Sequence, residues 1–189
     1  MNIFHRWYCG SERWARAMRE VGLPRTLEGL DLGDDLLEVG PGPGVTTDWL
    51  RDRVARLTAI EVDSKLAAKL TDRLAGTNVT VVEGDATRMS FPDGSFSGAV
   101  CFTMLHHVPT PELQDRLLAE TARVLRPGAP FAGMDSTPSL TWNVAHLFDT
   151  RVPVDPDTFA ARLERAGFVD ANVVRFPGGF AFRARAPGA

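Results

Sequence analysis

The sequence predicts an α/β fold: a doubly wound, mostly parallel sheet with helices on both faces, in three layers. Three observations carry that expectation. Short apolar runs alternate with amphipathic stretches along most of the chain, and the runs are apolar enough to be buried on both faces. The first run, Leu36-Leu37-Glu38-Val39, passes into Gly40-Pro41-Gly42-Pro43-Gly44 and then into a helical pattern opening with Val45-Thr46-Thr47. That is how a buried parallel strand feeds a tight glycine turn. Glu61 and Asp85 end or follow the second and third runs, at the spacing a Rossmann-like nucleotide site requires. With 189 residues, 44% of them hydrophobic, the chain is expected to form one domain over 1–189 with a full core.

Each element has a local reason. Ser11 caps a first helix carrying Trp14, Met18 and Val21 on one face, ending near Gly22 and Pro24. Leu36 to Val39 is strand one, and Val45 to about Val54 the helix after it. Leu57 to Val62 is strand two. Ser64 caps the next helix, in which Leu66, Leu70 and Leu74 form one apolar stripe, and Gly76 stops it. Val79 to Val82 is strand three, leading into Glu83-Gly84-Asp85. After a Pro92-Asp93-Gly94 turn, Phe96 to about Met104 reads as strand four. Thr110 and Pro111 supply an N-cap and a first-turn proline to a helix running through Leu113, Leu117 and Leu118 to Leu125, closed by Arg126-Pro127-Gly128. Strand five is about Pro130 to Met134, and an irregular stretch spans 136–154. Asp155-Pro156 starts a helix that stops at Ala166-Gly167, and Ala171–Arg175 with Phe180–Arg185 forms a closing, hairpin-like pair.

Bulk properties narrow the function classes. A net charge of −3 makes no electrostatic case for a polyanion and argues against nucleic acid as a partner. The N-terminal stretch is locally basic, with Arg6, Arg13, Arg16, Arg19 and Arg25 against Glu12, Glu20 and Glu28, which reads as a solvated helix face. The cysteines, Cys9 and Cys101, are far apart and in no metal-binding spacing, so a reduced cytoplasmic protein without a metal site is expected. The opening Met1-Asn2-Ile3-Phe4-His5-Arg6-Trp7 lacks the apolar stretch of a signal peptide, and no segment approaches membrane-spanning length.

The glycine run gives G-x-G-x-G rather than the dinucleotide G-x-G-x-x-G, because Val45 fills the sixth place. A dinucleotide fold aims helix N-terminal amides at a pyrophosphate, whereas Pro41 and Pro43 each remove a donor. The pattern favours a phosphate-free adenosine compound, S-adenosyl-L-methionine, over a nicotinamide dinucleotide. Glu61 is placed to accept both ribose hydroxyls. Asp63 competes for that role but sits where it can cap the following helix. Asp85 is placed to accept from the adenine amine, with the Ala86 amide beside it; its bland alternative is a turn aspartate. Glu38, a carboxylate inside an apolar strand, must be bonded, either to hold the glycine loop or to meet the ligand's ammonium indirectly.

Taken together, LLEVGPGPG, AIEVD, EGDAT, the segment from Phe91-Pro92-Asp93-Gly94-Ser95-Phe96 to Met104-Leu105-His106-His107-Val108, and Arg123-Val124-Leu125-Arg126-Pro127-Gly128 resemble a class I S-adenosylmethionine-dependent methyltransferase of the methyltransferase domain 11 group. The resemblance covers Leu36 to Phe131 in motif detail. It implies a seven-stranded sheet with one antiparallel strand, and S-adenosyl-L-methionine as cofactor with S-adenosyl-L-homocysteine as product. Gly40, Gly42 and Gly44 would line the methionine half, Glu61 the ribose, and Asp85 with Ala86 the adenine; Glu38 and Thr103 complete the expected cofactor set. Ser97 stands where the group usually has aspartate, and Ala129 replaces a second glycine. Glu61-Val62-Asp63 also resembles the ribosomal RNA adenine dimethyltransferases. Those carry an Asn-or-Asp-Pro-Pro-Tyr-like motif after strand four, where this chain has Thr103-Met104-Leu105-His106, which argues against nucleobase amines.

Methyl transfer from a sulfonium is an in-line displacement, so the protein mainly aligns and desolvates. The end of strand four should lie beside the transferable methyl, which makes His106 and His107 the candidate bases or orienting groups; the alternative is that they pin the loop. A small-molecule acceptor is expected. Its pocket would come from an N-terminal helical lid over 1–30, with His5, Trp7, Tyr8 and Trp14, and a second lid over 136–154, with Trp142, His146 and Asp149. A homodimer would complete an otherwise open pocket. A catalytically inactive cofactor-binding or regulatory partner of the same fold is the competing reading.

Overall fold

The computed structural model of the protein describes residues 11–139 and 150–188. His5, Trp7, Tyr8, Cys9, Trp142, His146 and Asp149 lie outside them. A sheet of seven strands runs in the order β3-β2-β1-β4-β5-β7-β6, with β1 Asp35–Val39, β2 Arg56–Glu61, β3 Val79–Glu83, β4 Gly98–Phe102, β5 Pro130–Ser136, β6 Val169–Phe176 and β7 Gly179–Arg185. Strands β1 to β5 pair in parallel, while β7 runs antiparallel to both β5 and β6. The predicted doubly wound sheet with one reversed strand is the observed one.

Period-two alternation between two packed layers explains why the central strands carry apolar residues on both faces, while the edge strands β3 and β6 stay largely unburied. Leu37, Val39, Ala99, Cys101 and Phe131 face one layer, packed on Leu117, Leu118 and Val124 of α5 (Pro111–Val124) and on Phe159 and Leu163 of α6 (Pro156–Arg165). Their neighbours Leu36, Val100, Phe102 and Ala132 face the other layer, against Met18, Leu23, Leu27 and Leu50. Phe131 is the hub of the first layer: its ring stacks on Phe168 and meets Phe182 edge-on, and Phe159 in turn packs on both Phe180 and Phe182.

Several local expectations are corrected. The first helix does not stop at Gly22 and Pro24. α1 (Glu12–Ala17) widens into a π turn over Met18–Gly22 and resumes as α2 (Leu23–Leu27). The Leu23 amide reaches back to the Met18 carbonyl, and Pro24 falls in the first turn of α2, where its missing N–H costs nothing. The wider turn also rotates Val21 out of the apolar face, leaving it 53% exposed. α3 is shorter than predicted, Val45–Leu50, because the Asn78 side-chain amide satisfies the Arg51 and Val54 carbonyls outside any helix. The cap of α4 (Ser64–Arg73) is Asp63 rather than Ser64, accepting from the Lys65 and Leu66 amides. Strand β4 begins only at Gly98, while Phe96 makes an isolated bridge to Leu125. Ser97, in the place of the family aspartate, accepts from the Asp35 amide at 2.8 Å and donates to the Leu32 carbonyl at 3.0 Å, fixing the start of β1.

Because Phe131 is fully buried against the Phe168 and Phe182 rings, Phe131→Ala should cost about 3–5 kcal/mol of unfolding free energy. A urea melt should show a lower midpoint with an unchanged slope.

Candidate functional site

Strand β1 pairs with β2 on one side and β4 on the other, so the chain reverses its winding between β1 and β4. A crevice opens beyond the carboxyl ends of the strands at such a point. Here it is a cleft of ≈ 210 Å³. One wall is the glycine loop, Gly40 to Pro43; the second is Glu61, Val62, Asp63 and Leu66; the third is Phe102, Thr103, Met104 and His107, with Trp14 and Met18 reaching in from the N-terminal helix.

The loop has no amide left to give. The Gly40 N–H donates to the Ile60 carbonyl (3.0 Å), the Gly44 N–H to the Pro41 carbonyl (2.9 Å), and the Gly42 N–H to Glu61 Oε2 (2.9 Å). Pro41 and Pro43 have none. A pyrophosphate would find no donors on this loop, so the geometry fits a ligand without phosphate. Gly40, Gly42 and Gly44 all take positive φ, at 70°, 54° and 85°. At Gly40 the need for glycine is also steric: a Cβ would come within 2.9 Å of the Met104 side chain.

Glu61, 6% exposed, bonds the Gly42 amide with one oxygen and the Asp63 amide (3.0 Å) with the other. It lines the cleft while holding its two walls at fixed separation. Asp63 also lines the cleft, and its Oδ1 is committed to capping α4, which separates the two roles the sequence left competing. Glu38 is buried behind the loop rather than in the cleft wall. Its carboxyl accepts from the Thr46 hydroxyl and from the Thr47 hydroxyl (2.6 Å), tying β1 to the first turn of α3. Burial pushes the Glu38 carboxyl up to about 7; the two hydroxyl bonds oppose that shift, and the charges of Asp48 and Glu61 reinforce it.

Asp85 and Ala86 lie outside the cleft wall. Asp85 Oδ1 accepts from the Thr87 amide (2.9 Å) and hydroxyl (2.8 Å), and Oδ2 faces Arg88 at 3.4 Å. Partial burial raises this carboxyl, but the Thr87 bonds and the Arg88 charge outweigh it and hold the group below its ordinary value. The turn bonds anticipated as its alternative are present, and they use Oδ1 alone. Ala86 is buried in the apolar layer.

Beyond β4, Thr103 takes φ 50°, a left-handed conformation that a β-branched residue adopts at a cost. Its amide donates to the Met134 carbonyl at 2.8 Å, and the bend turns Met104 back over Gly40. The two histidines then part company. His106 is 1% exposed and buried behind the cleft, its Nδ1 against Asp135 Oδ1 and its amide on Asp135 Oδ2 at 3.1 Å; its predicted catalytic position is therefore corrected to a pinning one. His107 lines the cleft, with Nδ1 3.2 Å from the Thr150 carbonyl. The turn Leu105–His107 that carries both is strapped from outside. The Gln114 side-chain amide donates to the Leu105 (3.0 Å) and Val152 (2.9 Å) carbonyls, and the Val152 amide to the His106 carbonyl (2.8 Å). Sequence reading missed Phe102, Met104, Val62 and Gln114, whose positions depend on where β2 and β4 end in space.

Residues 37–132 match the family described as methyltransferase domain. The chain belongs to that family. The family's cofactor is S-adenosylmethionine and its chemistry is transfer of the cofactor's methyl group. Among curated proteins, the probable ribosomal RNA small subunit methyltransferase A of Methanothermobacter thermautotrophicus is 39% identical over 99 residues, 47% of this chain and 36% of that protein. The protein of the same name from Natronomonas pharaonis is 36% identical over 141 residues, 67% of this chain and 50% of its own. The chain thus spans half or less of the length of these relatives. Among solved structures, a SAM-dependent methyltransferase from Archaeoglobus fulgidus aligns with a TM-score of 0.77 at 18% identity, covering 97% of this chain and 98% of that one. One from Aquifex aeolicus gives 0.76 at 20% identity over 98% and 99%. These two likenesses establish the same fold.

The amide-exhausted loop and the carboxylates beside it fit the methyl donor, which carries a sulfonium and no phosphate. One expectation about this methyltransferase domain is overturned. Small-molecule acceptors were expected and nucleic acid was argued against, yet the curated relatives carry names that specify ribosomal RNA. The physical fault lies in the charge sum: a net −3 says nothing about local patches. Among the described residues, no helix is long and apolar enough to cross a membrane.

The Glu38 environment makes a pH prediction. Between pH 4.5, the carboxyl's ordinary value, and about 7, the folded chain keeps a proton that the unfolded chain has released. The group therefore lowers stability as pH rises through that window and levels off above it, by about 3 kcal/mol in all. Glu38→Gln does not titrate, so the stability difference between variant and wild type, from urea melts across pH 4 to 8, should climb through the window; a flat difference would contradict the assignment.

Proposed function

We propose that this chain transfers a methyl group from S-adenosylmethionine to a planar heteroaromatic acceptor, a base of RNA being the first to test, with His107 taking the acceptor's proton. The observation that carries the reading is the composition of the third wall. Trp14, Met18, Phe102 and Met104 are apolar and polarizable, suited to the face of a ring. Among the described residues, His107 is the titratable side chain on that wall. A carbonyl only accepts, so the bond to Thr150 requires the proton of a neutral His107 ring on Nδ1 and leaves the lone pair on Nε2.

Bound at the glycine loop, the cofactor supplies an electrophilic methyl carbon on a cationic sulfur. Gly40, Gly42, Glu61 and Thr103 are the residues we assign to holding it; Glu38 acts from behind through Thr46 and Thr47. Asp85 Oδ2, which the Thr87 turn does not use, is the oxygen we assign to the adenine end, with Ala86 beside it. His107, whose Nε2 is buried, would turn that atom toward the acceptor to take its N–H or O–H proton, and the apolar wall would keep water from competing. The names of the curated relatives support RNA, and so do Arg13, Arg16 and Arg19, exposed on the helical segment that carries Trp14 and Met18. Trp14 and Met18 line the cleft, and we assign to their segment the lid role expected of 1–30. Because Thr103-Met104-Leu105-His106 replaces the Asn-or-Asp-Pro-Pro-Tyr-like motif, the acceptor atom is one that surrenders a proton to a histidine rather than an exocyclic amine held by that motif. A reducing, cytoplasmic setting suits the buried free thiol of Cys101.

The test is transfer of labelled methyl from S-adenosylmethionine to RNA. Labelled RNA is expected, with a loss of about 10²–10⁴-fold in turnover for His107→Gln and unchanged S-adenosylhomocysteine affinity. RNA that stays unlabelled, or a His107→Gln variant at full rate, would overturn the acceptor and the base respectively.

A further inference from the structure

We propose that Arg73, on the far side of the glycine loop from the cleft, is a positioning residue for the amino-acid end of the cofactor. The inference rests on the reading that this loop takes the methionine half. Arg73 is the last residue of α4, and its guanidinium reaches beneath the loop. Nη1 donates to both carboxylate oxygens of Asp48, at 2.7 Å each, and Nη2 to the Pro43 and Gly44 carbonyls, at 3.4 Å each. Asp48 sits in the first turn of α3, directly after the loop. One side chain therefore binds the end of the loop and the start of the helix it feeds.

The packing around Gly44 shows how close the arrangement is. Gly44 stands at φ 85°, and a Cβ there would collide with Arg73 Nη2 and with Leu70 Cδ1. The loop is thus held at two points by one stretch of chain. At the N-terminal end of α4, Glu61 and Asp63 form the linked pair that holds the Gly42 amide. At its C-terminal end, Arg73 holds the Pro43 and Gly44 carbonyls. The first anchor faces the ribose wall and the second the stretch assigned to the methionine.

The electrostatics define the role as positional. The Asp48 carboxylate takes both its oxygens to Arg73 and matches its charge, so the pair gives the loop a fixed backbone path and no net field. The Pro43 and Gly44 carbonyls are drawn to the guanidinium and away from the cleft, which leaves the loop's other edge to the ligand. The Arg73 side chain is 43% exposed, so the fold does not depend on it as it depends on a core residue.

Two ligands separate a positioning role from a merely structural one. S-Adenosylhomocysteine carries the amino-acid end; 5′-methylthioadenosine keeps the adenosine and the thioether and lacks it. In calorimetric titrations, Arg73→Gln should weaken S-adenosylhomocysteine about tenfold while methylthioadenosine stays within about twofold. Arg73→Lys should fall between, and Asp48→Asn should weaken the same ligand selectively by a smaller factor. Equal loss of both ligands would assign Arg73 to structure alone, and unchanged binding of both would also overturn the inference. Should the wild-type chain bind neither ligand, the cofactor reading itself fails, an outcome distinct from a selective effect that does not appear.

Discussion

One carboxylate sets the geometry on which the rest depends. Glu61, at the end of β2, spends one oxygen on the Gly42 amide and the other on the Asp63 amide, so a single buried side chain joins the loop after β1 to the loop after β2. Both loops leave the sheet at neighbouring strands, and without a common anchor each would choose its own conformation. With the anchor in place, the glycine loop turns its last donor inward. Its remaining amides already serve the backbone, and its prolines have none to offer. What faces the cleft is bare glycine and proline carbon beside carboxylates, a surface for a cationic sulfonium nucleoside rather than for phosphate.

The same economy appears behind the loop. Glu38 sits in an apolar strand because Thr46 and Thr47 bring it two hydroxyl donors, and those threonines open the helix that the loop feeds. His106 and Asp135 make a corresponding buried link between the turn after β4 and the end of β5. The cleft is therefore a space between elements whose ends are bonded to one another beneath its floor. The residues that face into it, Trp14, Met104 and His107 among them, stand on anchored backbone. Such preorganisation matters for a displacement reaction, where alignment and exclusion of water supply most of the rate.

Much of this was legible in the sequence. The strands β1, β2, β4 and β5 announced themselves because burial on both faces demands unbroken apolar runs, and Gly40, Gly42 and Glu61 because a tight turn and a lone terminal carboxylate have few other uses. The choice between Glu61 and Asp63 turned on helix capping, which local sequence only half reveals: Ser64 was read as the cap that Asp63 provides. Proline and glycine misled at Gly22 and Pro24, where a π turn absorbs both. His106 and His107 were indistinguishable by position; a long-range partner, Asp135, takes one of them out of the cleft. Arg73, Asp48 and Gln114 were invisible for the same reason, since their roles exist only once distant elements meet. At Asp85 the sequence offered a turn role beside an adenine role, and the turn with Thr87 uses one oxygen of the carboxylate.

The claim that a loop without spare amides selects a phosphate-free adenosine cofactor is tested most directly by titrating the chain calorimetrically with S-adenosylhomocysteine and with NAD under the same conditions. Saturable binding of the thioether nucleoside and no heat from the dinucleotide is the predicted result. Tight binding of NAD with none of S-adenosylhomocysteine would contradict the account at its foundation.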